Sequence, residues 1–376
     1  MRSRRLRRGP PPEYQGATAS RLWRFPSGKF APAMPDASLN IGNARTLRWT
    51  DPGVLAFHRQ RLGGLDFFRE MARGGIPAVP VYSVLDMRLT DVERGYCRFE
   101  CDPGPHMVNP VGGIHGGVYA ILADSAAGIA AQSWIEEGFV TRTVRLNVDF
   151  LRPLTAESGT VVCEGRTAKV GRTVLLSDAT IVDGRGRDVG RAQGTFMVVP
   201  AGGSGKPAAA PPAAAEREFL VEWGDTDTIR RASAGRTGFE VMSMIADGRL
   251  PAAPIAQTLG FRLDSVGDGA AAFLCDPAER QYNPLGIVHG GVPATLIDSA
   301  AGCAVHTKLP AGYSFSTVSL TCEFFRAIAL DTGPVRCEGR VVKHGRQVSV
   351  ADADVVDRDG RVLVRGTATC LAHPLR

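Results

Sequence analysis

Between residues 118 and 134 nearly every position is apolar or small, and residues 292–306 repeat that pattern. A helix that is apolar all round has no face to offer water, so each stretch is predicted to run through the middle of a fold, wrapped by other structure. Further on the period falls to two. Val144, Leu146, Val148 and Phe150 alternate with Thr143, Arg145, Asn147 and Asp149, and Val318, Leu320, Cys322 and Phe324 do the same, which predicts strands with one face on the core. Ahead of each long helix the pattern predicts a shorter helix, over 64–73 and 238–247, closed by Gly and then Pro. Strands over 81–90 and 95–101 follow the first of these. Hairpins turning near Gly171 and Gly184, with equivalents near Gly345 and Gly360, complete each unit. The predicted class is α+β, with one long buried helix against an antiparallel sheet of about five strands.

These elements occur twice because the chain is a tandem repeat. Asn109, Pro110, His115, Gly116, Gly117 and Asp124 reappear as Asn283, Pro284, His289, Gly290, Gly291 and Asp298, each 174 positions later. The same offset carries Thr143 onto Thr317, Gly171 and Arg172 onto Gly345 and Arg346, and Trp49 and Asp51 onto Trp223 and Asp225. Repeats of this length are two copies of one domain, and 376 residues hold them comfortably. The expected organisation is an Arg-rich disordered tail over 1–44, a first domain over 45–200, an Ala/Pro/Gly linker over 201–218 and a second domain over 219–376.

Charge narrows the class by where it sits. Residues 1–30 hold eight basic groups against Glu13, so they carry +7 and the rest of the chain nets about −1. The body of the protein is close to neutral, which argues against a nucleic-acid partner. No charge-free apolar run of 18 or more residues occurs and the tail has no apolar signal core, so a soluble, cytoplasmic protein is expected, without a membrane. Eight cysteines occur without a CxxC pair; reduced core thiols are expected, and no metal.

The candidate chemistry lies in the repeated constellation. Asp124 and Asp298 fall within apolar helices, where an ionised carboxylate is costly unless it is paired or faces a cleft. The paired glycines allow a ligand to approach the helix N-terminus, where free N–H groups and the helix dipole favour negative charge. That is the requirement of an oxyanion hole in acyl transfer. His115 and His289 either take part directly or pack the loop.

With these residues in view, the chain resembles the PaaI-type acyl-CoA thioesterases of the hotdog fold. The segments NPVGGIHGGVYAILADSAAG (109–128) and NPLGIVHGGVPATLIDSAAG (283–302) carry the resemblance, supported by the strand around Thr143 and the KVGR and KHGR turns. It implies a double hotdog whose two sheets join as an intrachain pseudo-dimer, with sites between the paired units. One site then combines Asn109, His115 and Gly116 with Asp298 and Thr317; the other combines Asn283, His289 and Gly290 with Asp124 and Thr143. The resemblance further implies that the Gly N–H polarises a thioester carbonyl, that Asp activates water or attacks directly, that Thr positions the water, and that Asn and His shape the pocket. Gly117 and Gly291 are expected beside the substrate. Lys169, Arg172, Lys343 and Arg346 are either partners of coenzyme A phosphates or solvated turn residues. Acyl-CoA is the expected substrate, no cofactor is expected, and a dimer of double-hotdog chains is the expected assembly. Two rivals stand beside this reading: a hotdog hydratase or dehydratase, and a non-catalytic acyl-CoA-binding sensor.

Overall fold

A computed structural model describes residues 43–201 and 215–375. The Arg-rich tail up to residue 42 and the linker over 202–214 lie outside the described residues.

In the first repeat, β1 (Asn43–Thr50) leads into α1 (Pro52–Arg59), α2 (Gly64–Ala72) and the short α3 (Pro80–Val84). Then come β2 (Met87–Glu93), β3 (Tyr96–Cys101), the long α4 (Gly116–Gln132), β4 (Phe139–Phe150), β5 (Val161–Val170), β6 (Val174–Val182) and β7 (Asp188–Pro200). The second repeat follows the same plan. It comprises β8 (Glu216–Trp223), α5 (Thr226–Ser233), α6 (Gly238–Ala246), α7 (Pro254–Leu259), β9 (Phe261–Gly267), β10 (Ala270–Cys275), α8 (Gly291–His306), β11 (Tyr313–Phe324), β12 (Val335–His344), β13 (Val348–Val356) and β14 (Val362–Pro374).

Twelve strands form one antiparallel sheet in the order β2-β3-β5-β6-β7-β4-β11-β14-β13-β12-β10-β9, and it curls around α4 and α8. Both helices are buried along almost their whole length, as their uniform apolarity requires. How closely the sheet wraps them is set by Gly165 and Gly339, where a Cβ atom would stand 2.1 Å from the Ala126 carbonyl oxygen and 2.2 Å from that of Ala300. This is the double hotdog, in the α+β class.

Strands β4 and β11 join the two halves. Asn147 faces Thr321, its equivalent by the 174-residue offset, so a pseudo-twofold axis passes between them. The separate two-stranded ribbon β1–β8 is centred in the same way, with Thr46 opposite Leu220. A matched pair of backbone bonds crosses between repeats as well, from the Val81 N–H to the Tyr282 carbonyl and from the Ile255 N–H to the Val108 carbonyl, both 3.3 Å. The two repeats therefore pack as one body with one principal core.

Four features differ from the pattern-based expectation. Each half of the sheet has six strands rather than about five. The strand expected over 81–90 begins only at Met87, because Pro80 at the first helical position starts the turn of α3 instead. Helices α1 and α5, each capped by the matching Asp51 or Asp225, lie ahead of the first expected helix in each repeat. The alternation of β4 and β11 is interrupted by a bulge between Thr143 and Arg145, and between Thr317 and Ser319. The bulge residues Val144 and Val318 are each 36% exposed, and the extra residue turns Thr143 and Thr317 onto the core face with Leu146 and Leu320. No helix among the described residues is long and apolar enough to cross a membrane.

Candidate active site

Asp124 and Asp298, each 6% exposed, stand on α4 and α8 where the two helices cross. Their two carboxylate oxygens have different surroundings. Oδ1 accepts a hydrogen bond from the bulge-turned threonine of the same repeat, Thr143 to Asp124 at 2.8 Å and Thr317 to Asp298 at 2.7 Å. Oδ2 faces the other repeat. A Cβ on Gly290 would lie 2.6 Å from Asp124 Oδ2, and one on Gly116 would lie 2.5 Å from Asp298 Oδ2. Only glycine lets the start of the opposite helix come this close to the carboxylate.

The histidines fix that start. His115 Nδ1 accepts the Gly117 N–H at 2.9 Å, and His289 Nδ1 accepts that of Gly291 at 3.0 Å. An accepting Nδ1 places the ring proton on Nε2, which donates across the repeats to Ser299 from His115 (3.1 Å) and to Ser125 from His289 (3.0 Å). The Ser125 hydroxyl in turn donates to the Ile121 carbonyl at 2.6 Å. Burial holds both imidazoles below their ordinary pKa, against the pull of the facing aspartate, so they are neutral. The Asp124 carboxyl is pushed above the usual carboxylate range, chiefly by burial, with His289, Thr143 and Gly291 opposing.

Gly116 and Gly290 are left with N–H groups that donate to no protein acceptor among the described residues. Two such donors at helix starts, each beside a buried carboxylate, form the arrangement an acyl-transfer site needs. Asn109 and Asn283 act one step back. Asn109 Oδ1 accepts from the Val111 and Gly113 N–H groups at 3.0 and 3.1 Å, and Asn283 Oδ1 from those of Leu285 and Ile287, folding the loop that delivers each histidine.

The structure thus gathers Asn109, His115, Gly116, Asp298 and Thr317 around one cavity of about 390 Å³, and Asn283, His289, Gly290, Asp124 and Thr143 around another of about 280 Å³. Other expected members lie elsewhere. Gly117 and Gly291, expected beside the substrate, pack against the opposite helix, where a Cβ would strike Thr295 or Ile121. Lys169, Arg172, Lys343 and Arg346 are exposed at the β5–β6 and β12–β13 turns and line neither cavity. The cations that do reach both are Arg152 and Arg326, equivalent residues just after β4 and β11. Ser125 and Ser299 were within reach of the sequence, since a serine follows the aspartate in both repeats at the same offset.

The two cavities share their chemistry but not their walls. Tyr82, packed edge-on to Phe99 and to His289, lines the Asp124 cavity where Ala256 lines the other. Phe67 and Phe68 are likewise replaced by Val241 and Met242, and Arg142 by Ser316.

Residues 111–189 and again 285–364 match the family model described as the Thioesterase superfamily. A Mycobacterium tuberculosis protein named "Putative esterase" is 33% identical over 118 residues, covering 31% of this chain and 83% of that protein. A Halobacterium salinarum protein of the same description is 33% identical over 103 residues, covering 26% of this chain and 66% of its own length. Among solved structures, a Novosphingobium aromaticivorans protein titled "putative thioesterase" is similar with a TM-score of 0.49 and 16% identity, over 73% of this chain and 94% of that one. The chain belongs to the thioesterase superfamily and carries its domain twice.

Proposed function

We propose that the protein hydrolyses acyl-CoA thioesters to a free acid and coenzyme A, at two sites each built from both repeats. The observation that supports this most directly is the buried carboxylate held by a threonine on one oxygen and facing, on the other, a glycine whose N–H has no acceptor among the described residues. On this reading the thioester carbonyl oxygen takes the Gly116 or Gly290 N–H. The opposing aspartate removes a proton from a water molecule ordered by the threonine. The hydroxide adds to the carbonyl carbon, and the negative charge that forms on oxygen is met by the N–H and the helix dipole. Collapse breaks the C–S bond, and the thiolate leaves with the proton held by the aspartate. No cofactor takes part. Arg152 and Arg326, at the edge of each cavity, are placed to meet phosphates of the carrier.

Release of free thiol from a panel of short, long and aromatic acyl-CoAs tests the reading. Turnover of at least one class is expected; tight binding of the whole panel with no thiol released would establish the sensor instead. The reaction also needs Asp124 ionised. Because burial raises its proton affinity, that form is lost sooner on acidification than for a free carboxylate, while the histidines gain a proton only below their ordinary range. The acid limb of kcat/KM for the Asp124 site is therefore expected above the free-carboxylate value of about 4. A pH profile recorded with the other site silenced by Asp298→Asn measures it, and a limb at or below 4 contradicts the buried-base assignment.

A further inference from the structure

The two cavities differ most at the end reached along α4 away from Asp124. Gly128, Ile129 and Gln132 line that route, and eight residues of helix separate Asp124 from Gln132, a rise of about 12 Å. The start of α2 packs there, with the Gly64 N–H bonded to the Ile135 carbonyl, and beside it the cavity is lined by Arg59, the last residue of α1. Arg59 Nε is buried without a hydrogen-bond partner, and among the described residues the guanidinium meets no carboxylate. Asp124 is the one acid among the described residues that line this cavity. Arg142, exposed on β4, adds a second cation to the same wall.

A guanidinium carries five donors and cannot shed its charge, so taking it half out of water without an acceptor costs stability unless a ligand supplies one. Among the described residues the second cavity has no such group at that end; its one guanidinium, Arg152, follows β4. The position equivalent to Arg59 is Ser233, buried and bonded to the Ile229 carbonyl at 2.8 Å. The wall there includes Val241, Met242, Ile245 and Cys303 with the serines Ser314 and Ser316 of β11, and His306 kept neutral by burial, its pKa lowered to about 4.

We infer that the Asp124 site takes thioesters whose acyl group ends in an anion, a carboxylate being the simplest, seated on Arg59, and that the Asp298 site takes acyl groups without a terminal charge. The inference rests on the thioester-hydrolase reading. It makes one chain a hydrolase with two specificities.

The test measures kcat/KM in an Asp298→Asn background for an ω-carboxyacyl thioester and its uncharged methyl ester. Each acyl group is presented on coenzyme A and on N-acetylcysteamine, which has no phosphate. The acid is expected to be preferred on both carriers. Arg59→Met is expected to cut the acid-to-ester ratio at least about tenfold, the size of a lost charge-assisted contact, and Arg59→Lys to restore part of it. An unchanged ratio overturns the inference. So does an effect that appears only with coenzyme A, which assigns Arg59 to a phosphate. If no thioester is turned over, the hydrolase reading falls, and calorimetry with a non-hydrolysable ω-carboxyacyl thioether decides the rest: about tenfold weaker binding to Arg59→Met upholds the acid site, and equal binding removes it. Arg59→Lys, which keeps stem and charge, covers the case in which Arg59→Met does not fold.

Discussion

Asp124→Asn combined with Asp298→Asn is expected to lower thioester hydrolysis by about 10³-fold, while either substitution alone leaves the opposite site at work. Loss of a positioned general base costs on the order of 10²–10⁴ in rate, and asparagine cannot take a proton from water. It keeps the shape and still accepts the threonine hydroxyl. Stability is expected to hold. Folding raises the proton affinity of Asp124, so its contribution favours the fold below the unfolded carboxylate's pKa and is lost as pH rises through the folded one; at neutral pH the ionised group is a burden that asparagine removes. An unchanged or higher melting temperature with lost turnover is the expected pair of results. The cross-repeat geometry adds a sharper arm. Asp124→Asn with Gly290→Ala strikes one site twice and leaves about the activity of either single variant, whereas Asp124→Asn with Gly116→Ala strikes both sites and abolishes turnover. If the second pair retains as much activity as the first, the sites are not shared between repeats.

Gly165→Ala is expected to destabilise the protein by about 3 kcal/mol or more, with a fall in the thermal midpoint of roughly 5 °C or more. The added methyl would sit 2.1 Å from the Ala126 carbonyl oxygen and 2.8 Å from the Ala127 N, both backbone atoms of α4, so no side chain can turn aside to admit it. The helix must lift from the sheet, and Asp124 rides on that helix. Gly339→Ala meets Ala300 in the same way and is expected to match it. Denaturant unfolding of each variant checks the pair, and a change below about 1 kcal/mol would show that the sheet does not grip the helices this closely.

The buried helices and the doubled constellation were legible because uniform apolarity and a gapless 174-residue repeat are strong signals. What escaped has physical reasons. Strict alternation along 143–150 sends Thr143 away from the core, and only the bulge at Val144, a matter of strand register, returns it to Asp124. The β1–β8 ribbon depends on pairing between segments far apart in the chain, of which Trp49 and Trp223 announced the position and not the partner. The basic residues at the hairpin turns, readable from the sequence either as phosphate contacts or as solvated turn residues, line neither cavity. Arg59 was invisible for the opposite reason. A repeat displays what its two copies hold in common, and Arg59 aligns with a serine.

The replacement of Tyr82 by Ala256 has a genetic consequence. When two identical subunits share their sites, any mutation is made twice, and a pocket cannot be altered without altering its twin. Joining the copies in one reading frame ends that constraint for the walls while keeping it for the aspartates and glycines, because neither half can lose one without disabling a site completed by the other. Selection can then remodel one specificity while the older one continues to be served by the same gene.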